Sequence, residues 1–222
     1  MILRIGHRGA RGHEPENTLA AIEKGIALHA HMVEFDVQPT QDGELVLLHD
    51  ATVDRTTNGH GRIADLTWHD VRRLKAAGNH PLPLLADALR VASGRTGVMI
   101  EVKAEGIARD MVRIVRDSQF SGPVIYASFL HDQLVEIRRA EPQAYTLALM
   151  EAIPVNRTAF ATDAQATHVG LAFESLTPSF LAALHAKSLR VFVYTVNERA
   201  DIQTAKAMGV DGIISDFPDR LM

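Results

Sequence analysis

Two hydrophobic patterns alternate along the 222 residues of the chain. Short apolar runs rich in β-branched residues are typical of buried strands, whereas apolar residues at three- and four-residue spacing are typical of amphipathic helices. With one hairpin return (45–49) set aside, the predicted strands are 2–5, 33–37, 98–103, 124–127, 144–149, 168–172, 190–196 and 212–215. The predicted helices begin with Glu16-Asn17-Thr18 and then cover 84–91, 107–117, 131–140, 156–164, 178–186 and 198–208.

Strands that alternate with helices predict an α/β fold with a mainly parallel sheet. Eight strands favour a closed (β/α)₈ TIM barrel over an open doubly wound sheet, and no Gly-x-Gly-x-x-Gly sequence follows a predicted strand. No linker or repeat interrupts the pattern, so we expect residues 1–222 to form one domain. The alternation fails only at residues 51–83, where polar turns surround one helical segment, Trp68 to Ala77. We interpret this stretch as a small insertion after the second strand.

The second predicted strand, 33–37, carries acidic side chains between apolar ones. Alternate side chains of a strand share a face, so Glu34 and Asp36 point away from the apolar residues. Neighbouring carboxylates repel each other, and a bound cation would stabilise them; a solvated strand face carrying two acids is the alternative. Asp42-Gly43 predicts a tight turn. In a hairpin closed by this turn, the numbers of paired residues sum to about 85, which places His49 opposite Asp36.

Composition and charge exclude several classes of protein. The net charge of −4 and the pI near 6.2 lack the basic footprint of a nucleic-acid-binding protein. No run of about 18 apolar residues could span a membrane. The first residues lack the apolar core of a signal peptide, so we expect a cytoplasmic protein without stable membrane insertion. Cysteine is absent, which excludes disulfides, thiolate zinc sites and cysteine nucleophiles. The oligomeric state stays open.

Polar residues gather at the carboxyl ends of the predicted strands, where barrel enzymes carry their reactive groups. The third strand repeats the parity of the second, with Glu101 and Lys103 on one face and apolar residues on the other. Three acidic side chains would offer hard oxygen ligands, which favours Ca²⁺, Mg²⁺ or Mn²⁺ over zinc. The polar strand ends are His7 and Arg8, Glu34 and Asp36, Glu101 and Lys103, Thr195 and Asn197, and Asp216.

Cationic side chains beside such a metal site favour a phosphate ligand. Arg8 and Lys103 would hold a negatively charged substrate, because both can pair with phosphate oxygens. His7 and His49 would then serve as general acid and base on either side of a phosphoryl centre. Other roles stay open: the charged pair on the third strand could form an internal salt bridge, Arg8 could cap a helix, and Asp216 could tie down the C-terminal tail.

Short motifs follow one another along nearly the whole chain: His7-Arg8-Gly9, Pro15-Glu16-Asn17-Thr18, Glu34-x-Asp36-Val37, Thr40-x-Asp42-Gly43, His49-Asp50, Arg55-Thr56-Thr57, Glu101-Val102-Lys103, Thr195-Val196-Asn197 and Gly209-Val210-Asp211-Gly212-Ile213. In this order they resemble the glycerophosphodiester phosphodiesterase family. The resemblance implies a (β/α)₈ barrel with a small insertion near the hairpin histidine. It also implies hydrolysis of glycerophosphodiesters, such as glycerophosphocholine and glycerophosphoethanolamine, to sn-glycerol 3-phosphate and an alcohol.

The same resemblance implies roles for residues at the strand ends. The implied ligands for Ca²⁺ or Mg²⁺ are Glu34, Asp36 and Glu101. The implied acid/base pair is His7 and His49, and the implied phosphate contacts are Arg8 and Lys103. The resemblance leaves open which histidine is the acid and which the base. It also leaves open whether water attacks the phosphate directly or a cyclic phosphate intermediate forms first.

Two positions depart from the family pattern. Tyr194 stands where the family usually has Trp before Thr-Val-Asn; we expect it to bind the alcohol or glycerol side, so the head-group preference stays open. His29-Ala30-His31 replaces Gly-Ala-Asp, so His29 must complete a helix end that a glycine normally closes.

The alternative functions are a lysophospholipase D-type or other phosphodiester hydrolase on the same barrel, or a non-catalytic barrel that binds phosphorylated metabolites. Short loops and the lack of an amphipathic membrane-binding stretch weigh against a lipid substrate.

Overall fold

The computed structural model of the protein describes residues 2–222. Its strands, in chain order, are β1 (Leu3–Gly6), β2 (Met32–Pro39), β3 (Leu45–Leu47), β4 (Lys75–Ala76), β5 (His80–Pro81), β6 (Gly97–Val102), β7 (Val124–Ser128), β8 (Tyr145–Met150), β9 (His168–Ala172), β10 (Arg190–Tyr194) and β11 (Gly212–Ser215). Its helices are α1 (Leu19–Ala27), α2 (Trp68–Val71), α3 (Leu85–Ala92), α4 (Ala108–Asp117), α5 (His131–Ala140), α6 (Ala159–Asp163), α7 (Pro178–His185) and α8 (Arg199–Met208).

Eight parallel strands close on themselves, which confirms the predicted (β/α)₈ barrel. The order around the barrel is β1, β2, β6, β7, β8, β9, β10 and β11, and β11 pairs again with β1. A helix connects each strand of the barrel to the next, and β3 pairs antiparallel with the end of β2. Within residues 2–222, no helix is long and apolar enough to cross a membrane.

The two faces of each barrel strand meet different surroundings, as strand geometry requires. The apolar residues of β2 and β6 that face outward pack under the helices: Val33, Phe35, Val37, Val98, Ile100 and Val102. Inward-facing residues fill the barrel: Ile5, Met32, Met99, Ile125, Ala127, Leu147, Leu149, Phe192 and Ile214. Glu34 and Asp36 share the inward parity of Met32, and Glu101 shares that of Met99. The acids therefore continue the inner face of the barrel toward the carboxyl ends of the strands.

The hairpin between β2 and β3 differs from the predicted one by a single residue. Val37 pairs with Leu47, and the amide of Leu48 donates to the carbonyl of Asp36 at 3.1 Å, so His49 lies one position beyond its predicted partner. The loop contains three residues rather than two, because Thr40 and Glu44 close it and Gly43 takes a φ of +85°. A glycine in this left-handed conformation is typical of three-residue hairpin loops.

Residues 51–83 contain short elements, and the predicted helix from Trp68 to Ala77 is wrong beyond Val71. Asn58 holds Lys75 in an extended conformation instead: the Asn58 amide donates to the Lys75 carbonyl at 3.0 Å, and the Asn58 side-chain Oδ1 accepts from the Lys75 amide at 2.8 Å. β4 and β5 then form a small antiparallel pair around Gly78, which has a φ of +68°. An apolar cluster joins this segment to β3: Val46, Leu48, Val53, Ile63, Val71 and Leu82.

The end of α1 shows how His29 replaces the glycine usual at this point. His29 takes a φ of +56°, its amide donates to the carbonyl of Ile26, and the amide of Ala30 donates to that of Gly25. A histidine in the left-handed region costs about 1 kcal/mol relative to glycine. His29 therefore adopts the left-handed conformation that a glycine would adopt at this helix end, with some local strain, and the chain continues into β2.

Candidate active site

Three acidic side chains meet inside the mouth of the barrel. Glu34 and Asp36 project from β2 and Glu101 from β6, and the register of the two strands sets Asp36 beside Glu101. One carboxylate oxygen from each residue lies within 4.8 Å of the others. Glu34 is 4% exposed and Asp36 is 1% exposed. Glu34 Oε1 and Asp36 Oδ1 accept no hydrogen bond from residues 2–222, although both are buried.

The electrostatics of the cluster fit a bound cation. Burial raises the pKa of Glu34 well above its usual value, and the charges of Asp36 and Glu101 raise it further. Burial and the charge of Asp36 also raise the pKa of Glu101, to about 7, although Lys103 lowers it. Buried carboxylates without hydrogen-bond donors need positive charge to ionise. Their oxygen ligands suit Ca²⁺, Mg²⁺ or Mn²⁺, so the residues present fit such an ion.

Arg8 and Lys103 lie against this cluster. Lys103 Nζ is 2.8 Å from Glu101 Oε1 and 3.7 Å from Asp36 Oδ1, so the salt bridge considered in the sequence does form. The backbone amide of Arg8 donates to Glu34 Oε2 at 2.7 Å, and its Nε lies 3.4 Å from Asp36 Oδ2. Arg8 has a φ of +49°, an uncommon conformation for a non-glycine residue. Two cations therefore face three acids, and one more positive charge would balance them.

Asn17 also holds Asp36, a contact that the sequence did not reveal. Its Nδ2 donates to Asp36 Oδ2 at 2.8 Å, and its Oδ1 accepts from the Asp36 amide at 3.1 Å. Asn17 takes a φ of +57°, which asparagine tolerates better than most residues. The bond from Nδ2 occupies one carboxylate oxygen of Asp36, the bond from the amide fixes the backbone, and the second carboxylate oxygen accepts no hydrogen bond from the described residues.

His7 is oriented by Asp216, at the end of β11. Its Nδ1 lies 2.7 Å from Asp216 Oδ1, while Asn197 Nδ2 donates to Asp216 Oδ2 at 2.9 Å. Burial lowers the pKa of His7 below its usual value; the Asp216 hydrogen bond opposes this change and the charge of Arg8 adds to it. Burial alone would raise the pKa of Asp216, but His7 and other partners bring it to about 2. A neutral ring that donates from Nδ1 leaves Nε2 able to accept a proton. Asp216 therefore contacts a histidine, beyond any role at the C-terminal tail.

His49 has an equivalent partner in its neighbour. Its Nδ1 lies 2.7 Å from Asp50 Oδ1. Arg55 donates from Nε to Asp50 Oδ2 at 2.6 Å, and this hydrogen bond lowers the pKa of Asp50 well below its usual range. Sequence analysis assigned no role to Glu16, Asn17, Asp50 or Arg55. All four lie in the motifs that carry the family resemblance, which was the only signal available for them.

One cavity of about 220 Å³ brings the predicted residues together. Its polar end contains His7, Arg8, Glu34, His49 and Glu101. Its other walls are Met99, Ala127, Phe129, Leu149, Glu151, Tyr194, Thr195 and Ile214. The Tyr194 ring meets that of Phe129 edge to face at 6.2 Å, and its buried hydroxyl has no hydrogen-bond partner in the described chain. Asp36 and Lys103 do not line the cavity but contact two residues that do, Arg8 and Glu101. The cavity can therefore hold a small phosphate ester with its organic part against apolar walls.

Comparison with known proteins agrees with this geometry. The sequence profile of the Glycerophosphoryl diester phosphodiesterase family matches residues 7–220. The chain is 30% identical over 233 residues to a glycerophosphodiester phosphodiesterase of Caldanaerobacter subterraneus, covering 99% of this chain and 96% of the relative. It is 31% identical over 232 residues to one from Bacillus altitudinis, covering 97% and 95%.

Solved structures show the same similarity in three dimensions. A phosphodiesterase from Oleispira antarctica, in complex with the product sn-glycerol-3-phosphate, superposes with a TM-score of 0.91 at 25% identity, covering 98% of this chain and 94% of that one. A glycerophosphodiester phosphodiesterase from Agrobacterium tumefaciens superposes with a TM-score of 0.87 at 26% identity, covering 100% and 99%.

The raised pKa values predict a pH-dependent response of stability to divalent cations. Glu101 has a folded pKa of about 7 against a usual value of 4.5, so the folded metal-free chain binds more protons and loses stability as pH rises between these values. A cation bound to the ionised acids restores that stability. We expect Mg²⁺ or Ca²⁺ to raise the melting temperature little at pH 5 and clearly at pH 8. Thermal melts with and without the cation measure this difference.

Matched variants make this measurement specific. Glu34→Gln and Glu101→Gln should abolish the cation response at pH 8, while Glu105→Gln, an exposed carboxylate near β6, should keep it. Each melt with the cation is compared with one without it at the same pH, so changes in stability that do not involve the cation cancel. A response that is equal at both pH values, or that survives in Glu34→Gln, would contradict the assignment.

Proposed function

Because the chain belongs to the glycerophosphoryl diester phosphodiesterase family, and is therefore a hydrolase of phosphoric diesters, we propose that it cleaves glycerophosphodiesters to sn-glycerol 3-phosphate and an alcohol. Glycerophosphocholine and glycerophosphoethanolamine are the proposed substrates. The observation that carries this proposal is one cavity lined by two acids of the buried carboxylate cluster, Glu34 and Glu101, and by both aspartate-bound histidines. The product bound by the Oleispira antarctica relative supports the same reaction. Membership of this family argues against a barrel that only binds phosphorylated metabolites.

Glu34, Asp36 and Glu101 would hold the divalent cation, Ca²⁺ or Mg²⁺, with Mn²⁺ also suitable. Such an ion supplies Lewis acidity and neutralises charge on the phosphate oxygens. Glu34 Oε1 and Asp36 Oδ1 support this assignment, because both atoms are buried and neither accepts a hydrogen bond from residues 2–222. The physiological ion is a matter of supply as well as of ligand chemistry.

Arg8 and Lys103 would bind the phosphate oxygens and orient the ester. Arg8 lines the cavity, and Lys103 reaches the cluster from β6. Both side chains already neutralise acids, so the phosphate would enter a site whose charges are preorganised. Tyr194 would contact the organic part of the substrate, since its ring lies on the apolar side of the cavity and its hydroxyl has no hydrogen-bond partner among residues 2–222.

The two histidines would move the protons of the reaction. His7, kept neutral by burial, would accept at Nε2 the proton of the nucleophile, which is water or a neighbouring hydroxyl of the substrate. His49 would then donate a proton to the leaving alkoxide. Asp216 and Asp50 fix the Nδ1 sides of the rings, so that both Nε2 atoms are available for these transfers. Each transfer contributes roughly 10²–10⁴-fold to the rate.

Loss of either ring should therefore reduce turnover without unfolding the protein. We expect His7→Ala and His49→Ala to lower kcat on glycerophosphocholine by about 10²-fold or more. His69→Ala, an exposed histidine on α2, should have no effect. Release of glycerol 3-phosphate is measured with EDTA and after readdition of Ca²⁺ or Mg²⁺, and circular dichroism monitors the fold. Near-normal rates in either variant, or full activity in EDTA, would contradict the corresponding role.

The role of His7 as the base predicts the acidic side of the pH profile. Activity is lost when His7 is protonated, and its lowered pKa moves that loss below pH 6.5, the usual value for histidine. Asp216→Asn removes a carboxylate that raises this pKa and allows the other ring tautomer, so kcat should fall and the acidic limb should move to lower pH. The pH dependence of kcat/KM measures both effects. A limb above pH 6.5, or one that moves upward in Asp216→Asn, would contradict the assignment.

A lysophospholipid is the second candidate substrate, and one observation favours it. Phe129, Ile153 and Val155 are large apolar side chains that are 41%, 45% and 106% exposed. They lie on the neighbouring loops that follow β7 and β8, and Phe129 also lines the cavity. An acyl chain that leaves the cavity on this side would cover these side chains. The sequence pattern had weighed against lipids because it contains no amphipathic stretch.

Choline release from glycerophosphocholine and from lysophosphatidylcholine separates the two substrates. If the acyl chain binds this rim, replacing all three residues by Ser should lower kcat/KM for lysophosphatidylcholine about tenfold or more and leave glycerophosphocholine nearly unchanged. If the water-soluble diester is the substrate, lysophosphatidylcholine is hydrolysed slowly by the wild type and the triple variant changes neither rate. The second result would exclude the lipid.

A further inference from the structure

A chain of charged side chains connects the two histidines through Glu16. Glu16 Oε1 accepts from Arg8 Nη1 at 2.6 Å and from Arg55 Nη2 at 2.8 Å, and its Oε2 accepts from Arg55 Nη1 at 3.0 Å. Arg11 approaches Glu16 Oε2 at 3.8 Å and places its Nε 2.7 Å from Asp216 Oδ1. Burial would raise the pKa of Glu16, but Arg55 and Arg8 bring it to about 2. Glu16 therefore remains ionised and anchors three guanidinium groups.

Arg55 joins this anchor to His49. Its guanidinium donates to both oxygens of Asp50, at 2.6 and 3.0 Å, and at the same time to both oxygens of Glu16. A planar group with five donors can satisfy two carboxylates together, whereas a lysine ammonium cannot reproduce both forks. Arg55 belongs to residues 51–83, so this contact also ties that segment to the loop that precedes α1.

His49 needs such support because it lies beyond the end of β3, outside the regular hydrogen bonds of the hairpin. The hydrogen bonds of His49 within the described chain are the ring contact with Asp50 and a 3.3 Å bond from Gln38 to its carbonyl oxygen. Asp50 is the adjacent residue and cannot by itself fix the ring relative to the barrel. Its link to the barrel runs through Arg55 and Glu16.

We propose that Arg55 and Glu16 are positioning residues, which hold the His49–Asp50 pair at the productive angle and link it to Arg8. The proposal rests on the proposed function, in which His49 transfers a proton and Arg8 binds phosphate. Arg55 acts on the proton transfer through His49 alone. Glu16 acts on both, because Arg8 shares its carboxylate.

A second arginine–glutamate pair in the same protein provides the control. Arg95 donates to Glu23 through Nη1 at 2.9 Å and Nη2 at 2.7 Å, with a geometry close to that of Arg55 on Glu16. Both side chains are about half exposed, and neither lies in the cavity. Exposed pairs of this kind contribute little to stability.

The experiment compares kcat and KM on glycerophosphocholine for Arg55→Lys, Arg55→Ala, Glu16→Gln and Arg95→Ala. We expect both Arg55 variants to lower kcat by about 10- to 100-fold, as small misplacements of catalytic groups do, with KM within about threefold of the wild type. Glu16→Gln should lower kcat and also raise KM. Arg95→Ala should change neither constant.

The decisive comparison places Arg55→Ala in a His49→Ala background. If Arg55 acts through His49, the second substitution has no further effect on kcat, whereas a general structural role would lower kcat again. Independent additive losses, or an Arg55→Ala variant with normal kcat, would overturn the proposal.

A spectroscopic readout separates this proposal from the proposed function. The ¹⁵N shifts of the His49 ring should show a single tautomer protonated at Nδ1 in the wild type and a mixture in Arg55→Ala. This result is expected even if glycerophosphocholine is not hydrolysed, which would contradict the function alone. A ring spectrum unchanged by Arg55→Ala would contradict the positioning role.

Discussion

Three carboxylates buried inside the mouth of the barrel constrain everything around them. Parallel pairing of β2 and β6 fixes Asp36 beside Glu101, and Glu34 lies two residues earlier on the same inner face. Burial raises the pKa values of Glu34 and Glu101, and the charges of the neighbouring acids raise them further, so the three acids cannot all ionise without added positive charge. Only part of that charge comes from Arg8 and Lys103. The remaining imbalance would favour a bound cation at this site.

The surrounding polar residues form a supporting layer around this cluster. Asn17 and Arg8 both take left-handed backbone conformations that bring them to Asp36 and Glu34. Such conformations persist where neighbouring contacts hold them, and they are common at functional sites. Each histidine has its own aspartate, and the loop before α1 supplies contacts to both sides through Glu16 and its arginines. The inward-facing apolar residues fill the barrel interior, and Met99, Leu149 and Ile214 of that set also line the cavity.

The sequence predicted the barrel well because its main signals are local. Alternation within β2 and β6 placed Glu34, Asp36 and Glu101 on the strand faces opposite the apolar residues, since strand periodicity does not depend on distant contacts. Local signals failed where a distant partner decides the conformation. Asn58 holds Lys75 in β4 rather than in the predicted helix, and a three-residue loop shifts His49 by one position.

The supporting contacts of the site were beyond sequence reasoning for the same reason. His7 meets Asp216 across 209 residues of sequence, and Arg55 meets Glu16 across 39. Neither pair leaves a periodic pattern, and an arginine in a polar insertion looks like any surface residue. Their partners become visible only when the barrel brings β1, β11 and the hairpin to one end.

The most direct measurement of the central claim is anomalous diffraction from a crystal of the protein soaked with Mn²⁺. We expect a single strong peak bonded to carboxylate oxygens of Glu34, Asp36 and Glu101, on the side chains that Arg8 and Lys103 contact. A peak elsewhere, or a fully ordered site without an ion at saturating Mn²⁺, would contradict it.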